Sequence, residues 1–452
     1  MNLVTTFSVS TLIVLALSAT GYSQSVSIKA IEWSTYWNSD RPSGQNDGWV
    51  WQGRGFTTEA GLAMHASVPF IKLNLRPSVL ATQNLSFEPG GRVKPGIDLP
   101  DNPYPGPDVR FRFVESAAFL NLGNLGVGAS NETRWWGPGV RNSIMLSNHA
   151  PGFDHVRVQT VKPQNVGIGK VYIEYIMGKL EGSKIRPERY PEGWRLFTGL
   201  HIWASTGILP DLRVGLNRTF IANQADVRTT RDYFPLFQPF QKNALGEGTD
   251  GSGSAPDDQR ASVFFDWRFP VSGLRVYGEF AREDHNMDLR DALMEPGHIR
   301  AYQVGAELRS SERLTQVEFT QMQISTINPR GEAPWYTHTA VRRGYTHEGQ
   351  VLGSGVGPGG NSAYISHRWL TSHGWIGGYA ERAEREHEFA KRTFGPNAPK
   401  EVDFIFGVRH EQTIGRILIS PELEIMETQN RGNVRGHTER NLALRLHLGV
   451  LF

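Results

Sequence analysis

The chain has 452 residues and a formal charge of only +2, with 47 Lys and Arg against 45 Asp and Glu, a balance that does not suggest a surface built for nucleic acid. It has no cysteine, so disulfides and thiolate metal sites are excluded. Aromatic residues make up 11% of it and glycine fills 49 positions, a mixture that suits short strands and turns better than helices.

The chain begins "MNLVTTFSVSTLIVLALSATGYS", where Leu12 to Leu17 form an apolar core followed by the small residues Ser18, Ala19, Gly21 and Ser23. Residues 1–23 are therefore expected to be a secretory signal peptide, although no Lys or Arg precedes the apolar core. No later window approaches the roughly 20 apolar residues of a membrane-spanning helix. An exported chain of this kind is either soluble outside the cytoplasm or a β-barrel. Residues 24–50 are expected to be a periplasmic lead-in, and residues 51–452 the barrel.

The segment "NETRWWGPGVRNSIMLSN" (131–148) sets two indoles beside a cation and ahead of a Gly-Pro-Gly turn. Gly137, Pro138 and Gly139 read as the turn that ends a strand. Neighbouring strand residues face opposite sides, so one indole is expected at the lipid headgroup level. The other is then free to face the lumen or a glycan. Tryptophan offers a flat apolar face to a pyranose, and Arg134 offers planar donors to its hydroxyls or to an acidic sugar.

Further on, alternation dominates. In "ASVFFDWRF" Val263, Phe265, Trp267 and Phe269 share one face, and Ser262, Phe264, Asp266 and Arg268 the other. "LRVYGEF" follows after a four-residue turn and opposes Leu274, Val276 and Phe280 to Arg275, Tyr277 and Glu279, as in a hairpin. "AYQVGAELR" (301–309) and "VDFIFGVR" (402–409) repeat the rhythm. Between "LRVYGEF" and "AYQVGAELR", the stretch "AREDHNMDLRDALMEPGH" sets Asp284, Asn286, Asp288 and Glu295 at a calcium-loop spacing, but Leu289 stands where that loop needs glycine. A polar loop is the better reading, and its Asp284, His285 and Arg290 are weaker candidates for sugar contact. The Gly-rich "GSGVGPGG" (353–360) lacks the Lys-Ser/Thr of a phosphate loop and reads as a flexible loop or strand-end turn.

The chain ends in "NLALRLHLGVLF", with Leu442, Leu444, Leu446, Leu448, Val450 and Phe452 on one face. Asn441, Arg445 and His447 lie on the other. A soluble sandwich also alternates, but strands of about ten residues, charged inner faces and long polar loops alternating with short turns favour a transmembrane antiparallel barrel. At about 20 residues per strand with its loop, the chain accommodates roughly 16–20 strands and little helix.

Several stretches together carry a resemblance. "NDGWVWQGRGF", "RWWGPGVRNSIMLSNHAPGF", "DDQRASVFFDWRFP", "YGEFAREDHNMDLRDALMEPGHIRAYQVG" and "GYTHEGQVLGSGVGPGGNSAYI" are similar to segments of the Wzi family of capsule-assembly outer-membrane proteins. The resemblance implies an all-β outer-membrane barrel of 18 strands that holds capsular or exopolysaccharide at the cell surface, lectin-like and without chemistry. The expected partners are that polysaccharide and outer-membrane lipid, with a monomeric chain, no nucleic acid and no cofactor. The glycan-binding candidates are Arg134, Trp135 and Trp136, then Asp284, His285 and Arg290. A porin-like channel for oligosaccharides is the main alternative, and an outer-membrane hydrolase a third. The scattered histidines lack HExxH or HxH spacing, Ser147, Ser205 and Ser366 lack a nucleophile elbow, and Glu422 and Glu424 are ordinary lumen residues as well as a conceivable acid pair.

Overall fold

A computed structural model describes residues 25–89, 97–185, 193–227, 233–234, 257–283, 299–323, 334–385 and 387–452. The chain rises and falls through β1 (Ser25–Asn38), β2 (Gly55–Val68), β3 (Ile71–Leu75 and Pro77–Thr82), β4 (Asp108–Phe113 and Ala117–Leu122), β5 (Leu125–Ser130) and β6 (His155–Thr160 and Gln164–Asn165). It continues through β7 (Gly169–Leu180), β8 (Arg195–Thr206), β9 (Leu212–Asn223), β10 (Asp257–Phe269), β11 (Leu274–Glu283) and β12 (Arg300–Arg309). The remaining strands are β13 (Arg313–Gln321), β14 (Asn361–Leu370), β15 (Gly374–Arg385), β16 (Glu401–Ile414), β17 (Ile417–Gln429) and β18 (Thr438–Leu451). Among the described residues these eighteen strands pair antiparallel with their neighbours, and β1 pairs with β18 from Ala30↔Leu451 to Asn38↔Ala443, which closes the barrel. The α-helix among the described residues is His387–Phe394.

Closure leaves no free edge, and a barrel of this kind satisfies its backbone in lipid through inter-strand bonds. The side chains sort as their alternation requires. Val263 and Phe265 of β10 are exposed on the outer wall, as are Val304 of β12, Phe406 and Val408 of β16, and Leu444 and Val450 of β18. Their neighbours Asp266, Gln303, Asp403 and Ala443 are buried on the inside. The turns β2–β3, β4–β5, β6–β7, β8–β9, β10–β11, β12–β13, β14–β15 and β16–β17 span two to five residues. They share one end of the barrel with the start of β1 and the end of β18, and the long loops occupy the other. Short turns mark the periplasmic end of such barrels and long loops the outer end.

One boundary differs from expectation. Of the residues 24–50 assigned to a periplasmic lead-in, 25–38 are the first barrel strand and 39–50 belong to the loop that joins it to β2. A β-bulge between Ile28 and Ala30 explains the difference. Val26 and Ile28 face outward before it, Ile31 and Trp33 after it, so the alternation changes phase in mid-strand and loses its simple period.

The core lies inside the barrel, not between layers. Loop residues Trp136, Ile144, Met145, Leu146, Phe153, Trp335, Tyr336, Tyr345 and Leu352 pack with wall residues Ile176, Phe197, Ile221, Ala281, Ala301 and Ala383 into one buried apolar cluster. The loop 131–154 and the described residues 334–360 thus fold down into the lumen and fill it.

Candidate functional site

The β5–β6 loop is the plug, and its anchors are glutamates on the inner wall. Glu174 of β7 accepts Arg134 Nε at 2.7 Å, Trp136 Nε1 at 3.2 Å and the Tyr172 hydroxyl at 2.7 Å. Glu318 of β13 accepts three successive backbone N–H groups, from Val140, Arg141 and Asn142, at 2.6, 3.1 and 2.8 Å. Glu381 of β15 accepts Arg141 Nε at 2.7 Å. Arg275 of β11 donates to Pro138 O at 2.6 Å, and Gln303 of β12 to Asn142 O at 2.9 Å. The plug therefore touches walls that are far apart around the barrel. Charge-assisted bonds of this kind are shorter and stronger than neutral ones, and they leave the buried charges compensated.

Geometry accounts for the composition of the segment. Gly137 adopts a φ of 142°, and a Cβ there would stand 2.6 Å from Glu279 Oε2 on β11, so only glycine lets the turn sit this close to the wall. Trp136 brings the edge of its ring against the wall at Gly199 of β8, where a Cβ would meet its Cη2 and Cζ3 at 2.7 Å, and it stacks on His201 at 5.6 Å between centroids with a 17° interplanar angle. It is 1% exposed. Trp135 is half-buried and turns its indole N–H to Gly139 O at 3.0 Å.

These positions correct the sequence expectation for the tryptophan pair. The two residues belong to a loop inside the barrel, with a single backbone bridge from Trp136 to Leu146, so neither indole stands in a girdle at the lipid boundary. Trp136 has no free face for a sugar. Arg134 and Trp135 keep part of their surface. Asp284, His285 and Arg290 lie outside the described residues. The Gly-rich 353–360 is the strand-end turn of the two readings: it is buried against the plug, where the Ser354 hydroxyl meets Asn142 Oδ1 at 2.7 Å, and it leads into β14.

Beside the plug remains a cavity of about 440 Å³. The β1–β2 loop supplies Arg41, Ser43, Asp47, Trp51 and Gln52, the plug supplies Val140, Arg141 and His149, and strands β14 to β18 supply Tyr364, Arg368, Trp375, Tyr379, Arg409, Glu422, Glu424 and Arg445. Arg141 stands 5.4 Å from the Tyr364 ring centroid and 5.8 Å from that of Tyr379. The Tyr379 hydroxyl stands 2.7 and 2.6 Å from the Glu422 and Glu424 carboxylates and shares its one proton between them, and Arg445 reaches the same two carboxylates at 2.8 and 2.9 Å and Gln52 Oε1 at 2.9 Å. Glu422 and Glu424 are thus bridged by one guanidinium and one phenol, an arrangement that fixes a wall and does not free an acid. Ser147 donates to Gly353 O at 2.5 Å and Ser366 to Gln316 at 3.0 Å, so both hydroxyls serve the packing.

Two loop groups facing this cavity are shifted. Burial pushes the Asp47 carboxyl up to about 7, with Arg445 opposing the shift and Glu422 and Glu424 adding to it. Burial pushes the His149 imidazole down to about 4, helped by Arg385 and Arg141. Aromatic faces, planar cations and fixed carboxylates around one cavity can take a saccharide by stacking and by hydrogen bonds to its hydroxyls. Sequence reasoning missed Tyr364, Tyr379, Trp375 and Asp47, whose convergence depends on strand register. Arg445 was visible as the charged member of the inner face of the last strand.

The whole segment from Asn38 to Gly436 matches the family model of the capsule assembly protein Wzi. The chain belongs to the Wzi capsule assembly family. Among solved structures it is similar to Escherichia coli Wzi, described as an outer-membrane protein involved in group 1 capsule assembly and as a carbohydrate-binding β-barrel. That match has 13% identity, covers 98% of this chain and 87% of that one, and has a TM-score of 0.65. At this identity the likeness shows the shared barrel fold. Pseudomonas aeruginosa OccD3 aligns over 96% of this chain and 93% of its own at 9% identity, with a TM-score of 0.49. No curated protein matches the chain. Within the family frame the protein is an outer-membrane β-barrel, and the plug motif "RWWGPGVRN" is part of the matched region.

Proposed function

We propose that this barrel holds capsular or exopolysaccharide at the outer membrane and helps attach or assemble the capsule there, as a lectin-like protein without chemistry. The observation that carries this is the cavity beside the anchored plug, where Tyr364, Tyr379, Trp51, Arg141 and Arg445 set aromatic and hydrogen-bonding surfaces around a space of sugar-binding size. Family membership and the description of the Escherichia coli protein as a carbohydrate-binding barrel support the same conclusion. A signal peptide in residues 1–23 would deliver the chain to this site. Arg134 and Trp135, at the partly open surface of the plug, are proposed to add contacts. Binding energy per sugar is modest, because each hydroxyl exchanges water for a protein partner at a net gain of about 0.5–1.5 kcal/mol. The test is to titrate the purified barrel with the producer's own polysaccharide and to measure cell-bound polysaccharide in a strain lacking the gene. Absence of binding together with unchanged retention on cells would overturn the proposal.

A further inference from the structure

At the short-turn end of the cavity, one tryptophan is flanked by two arginines. Trp375 is the second residue of β15, beside the three-residue turn 371–373, and is half-buried on the inner wall. Arg368 of β14 places its guanidinium 4.4 Å from the indole centroid, and Arg409 of β16 places its own at 5.5 Å. Glu411 accepts the indole N–H at 3.3 Å, which fixes the ring, and lies 3.6 Å from Arg409. Ser420 also holds Arg409, at 3.2 Å.

Arg368 stands apart from the arginines that serve the plug. Arg134 and Arg141 each end on a wall glutamate, whereas among the described residues no carboxylate lies within ion-pair distance of Arg368. An Arg-over-Trp pair also stands elsewhere on the wall, where Arg213 of β9 lies 4.6 Å from the Trp203 centroid of β8, next to another short turn. A planar cation without a carboxylate partner among the described residues, on the wall of the cavity beside a half-buried indole, is suited to a sugar that carries a carboxylate. The guanidinium takes the carboxylate by two parallel hydrogen bonds, and the exposed edge of the half-buried indole lies against the apolar side of the sugar.

We propose that Trp375, Arg368 and Arg409 form a second saccharide subsite, facing the periplasm, that binds a carboxylate-bearing sugar residue. The proposal rests on the glycan-holding function above and adds to it the charge class of the ligand and a second position along the barrel.

The experiment uses the purified full-length barrel in detergent, with trigalacturonate as the acidic probe, its methyl ester as the uncharged control, and the producer's polysaccharide as a separate arm. Trigalacturonate is expected to bind and the ester to bind much more weakly, with the difference shrinking as salt is raised to about 0.5 M. Arg368→Gln is expected to weaken trigalacturonate binding about tenfold and Arg368→Lys to restore part of it, since lysine keeps the charge but not the fork. Heat-modifiable gel mobility reports that each variant is a folded barrel, and Arg409→Gln provides a second, independent variant. If folded Arg368→Gln and Arg409→Gln bind trigalacturonate as the wild type does, or if the ester binds equally well, the subsite is refuted while polysaccharide binding still stands. If neither the oligosaccharides nor the polysaccharide bind, the glycan-holding function fails as well.

Discussion

Trp135 and Trp136 are neighbours with unequal tasks. Trp136 is enclosed by Gly199, His201 and Glu174, and cutting it back to alanine would open a cavity in the lumen core and leave Glu174 short of one donor. Large-to-small changes of this kind cost about 3–5 kcal/mol. Trp135 is half-buried and bonds only within its own turn, so Trp135→Ala should cost about 1 kcal/mol. The temperature at which each variant loses its compact gel mobility measures the difference; equal melting would mean that the indole stack does not hold the plug. Asp47 gives a second residue-level prediction. Its carboxyl titrates near 7 in the fold and near 3.9 when unfolded, so the folded state holds an extra proton between those values. Its contribution to stability is full below about pH 4 and is lost as pH rises through 7. The facing charges are Arg445, Glu422 and Glu424 on the wall and Arg141 on the plug. Asp47→Asn should therefore stabilise the protein relative to the wild type by roughly 4 kcal/mol at pH 8 and by only about 1.5 kcal/mol at pH 5. A stability gap that is the same at both pH values would show that Asp47 is not held protonated.

At the scale of strands, one outward residue decides whether a segment tolerates lipid. Phe265 is exposed on the outer wall of β10 between neighbours that face inward. Phe265→Arg should lower barrel stability by about 2–4 kcal/mol if the site lies near the midplane, and less toward either rim. Folding yield into vesicles checks this, and an unchanged yield would place Phe265 away from hydrocarbon. The same alternation made most of the barrel legible in the sequence, because a period of two needs only local residues. β10, β11, β12, β16 and β18 all show it without a break. β1 escaped because its bulge reverses the phase, and Trp136 was misplaced because its partners Glu174 and His201 are 38 and 65 positions away. A dipeptide of tryptophans looks alike at a lipid boundary and in a plug; only the opposing wall tells them apart. The cavity was illegible for the same reason, since Tyr364, Tyr379, Glu422 and Arg445 meet through the register of five neighbouring strands.

For the whole molecule the plug separates a holding barrel from a channel. A barrel of 16–18 strands leaves an aqueous passage unless something fills it. Here segment 131–154 is bonded to inner walls on β7, β11, β12, β13 and β15, and an apolar cluster of loop and wall residues lies behind it. Opening such a passage would require breaking the Arg134–Glu174 and Arg141–Glu381 pairs and leaving carboxylates buried without partners, at about 3–5 kcal/mol for each broken pair. Spontaneous opening is therefore rare, and the wild-type barrel in a planar bilayer should pass little current. Replacing residues 134–149 by a Gly-Ser linker of equal length removes every one of these anchors while keeping the loop closed. That variant should show a steady ohmic conductance and should lose retention of polysaccharide on cells, because the Val140–Arg141 side of the cavity goes with the plug. A steady ohmic conductance in the wild-type barrel, as large as that of a conducting linker variant, would mean that the lumen is open in the membrane, and the porin-like alternative would then describe this protein better.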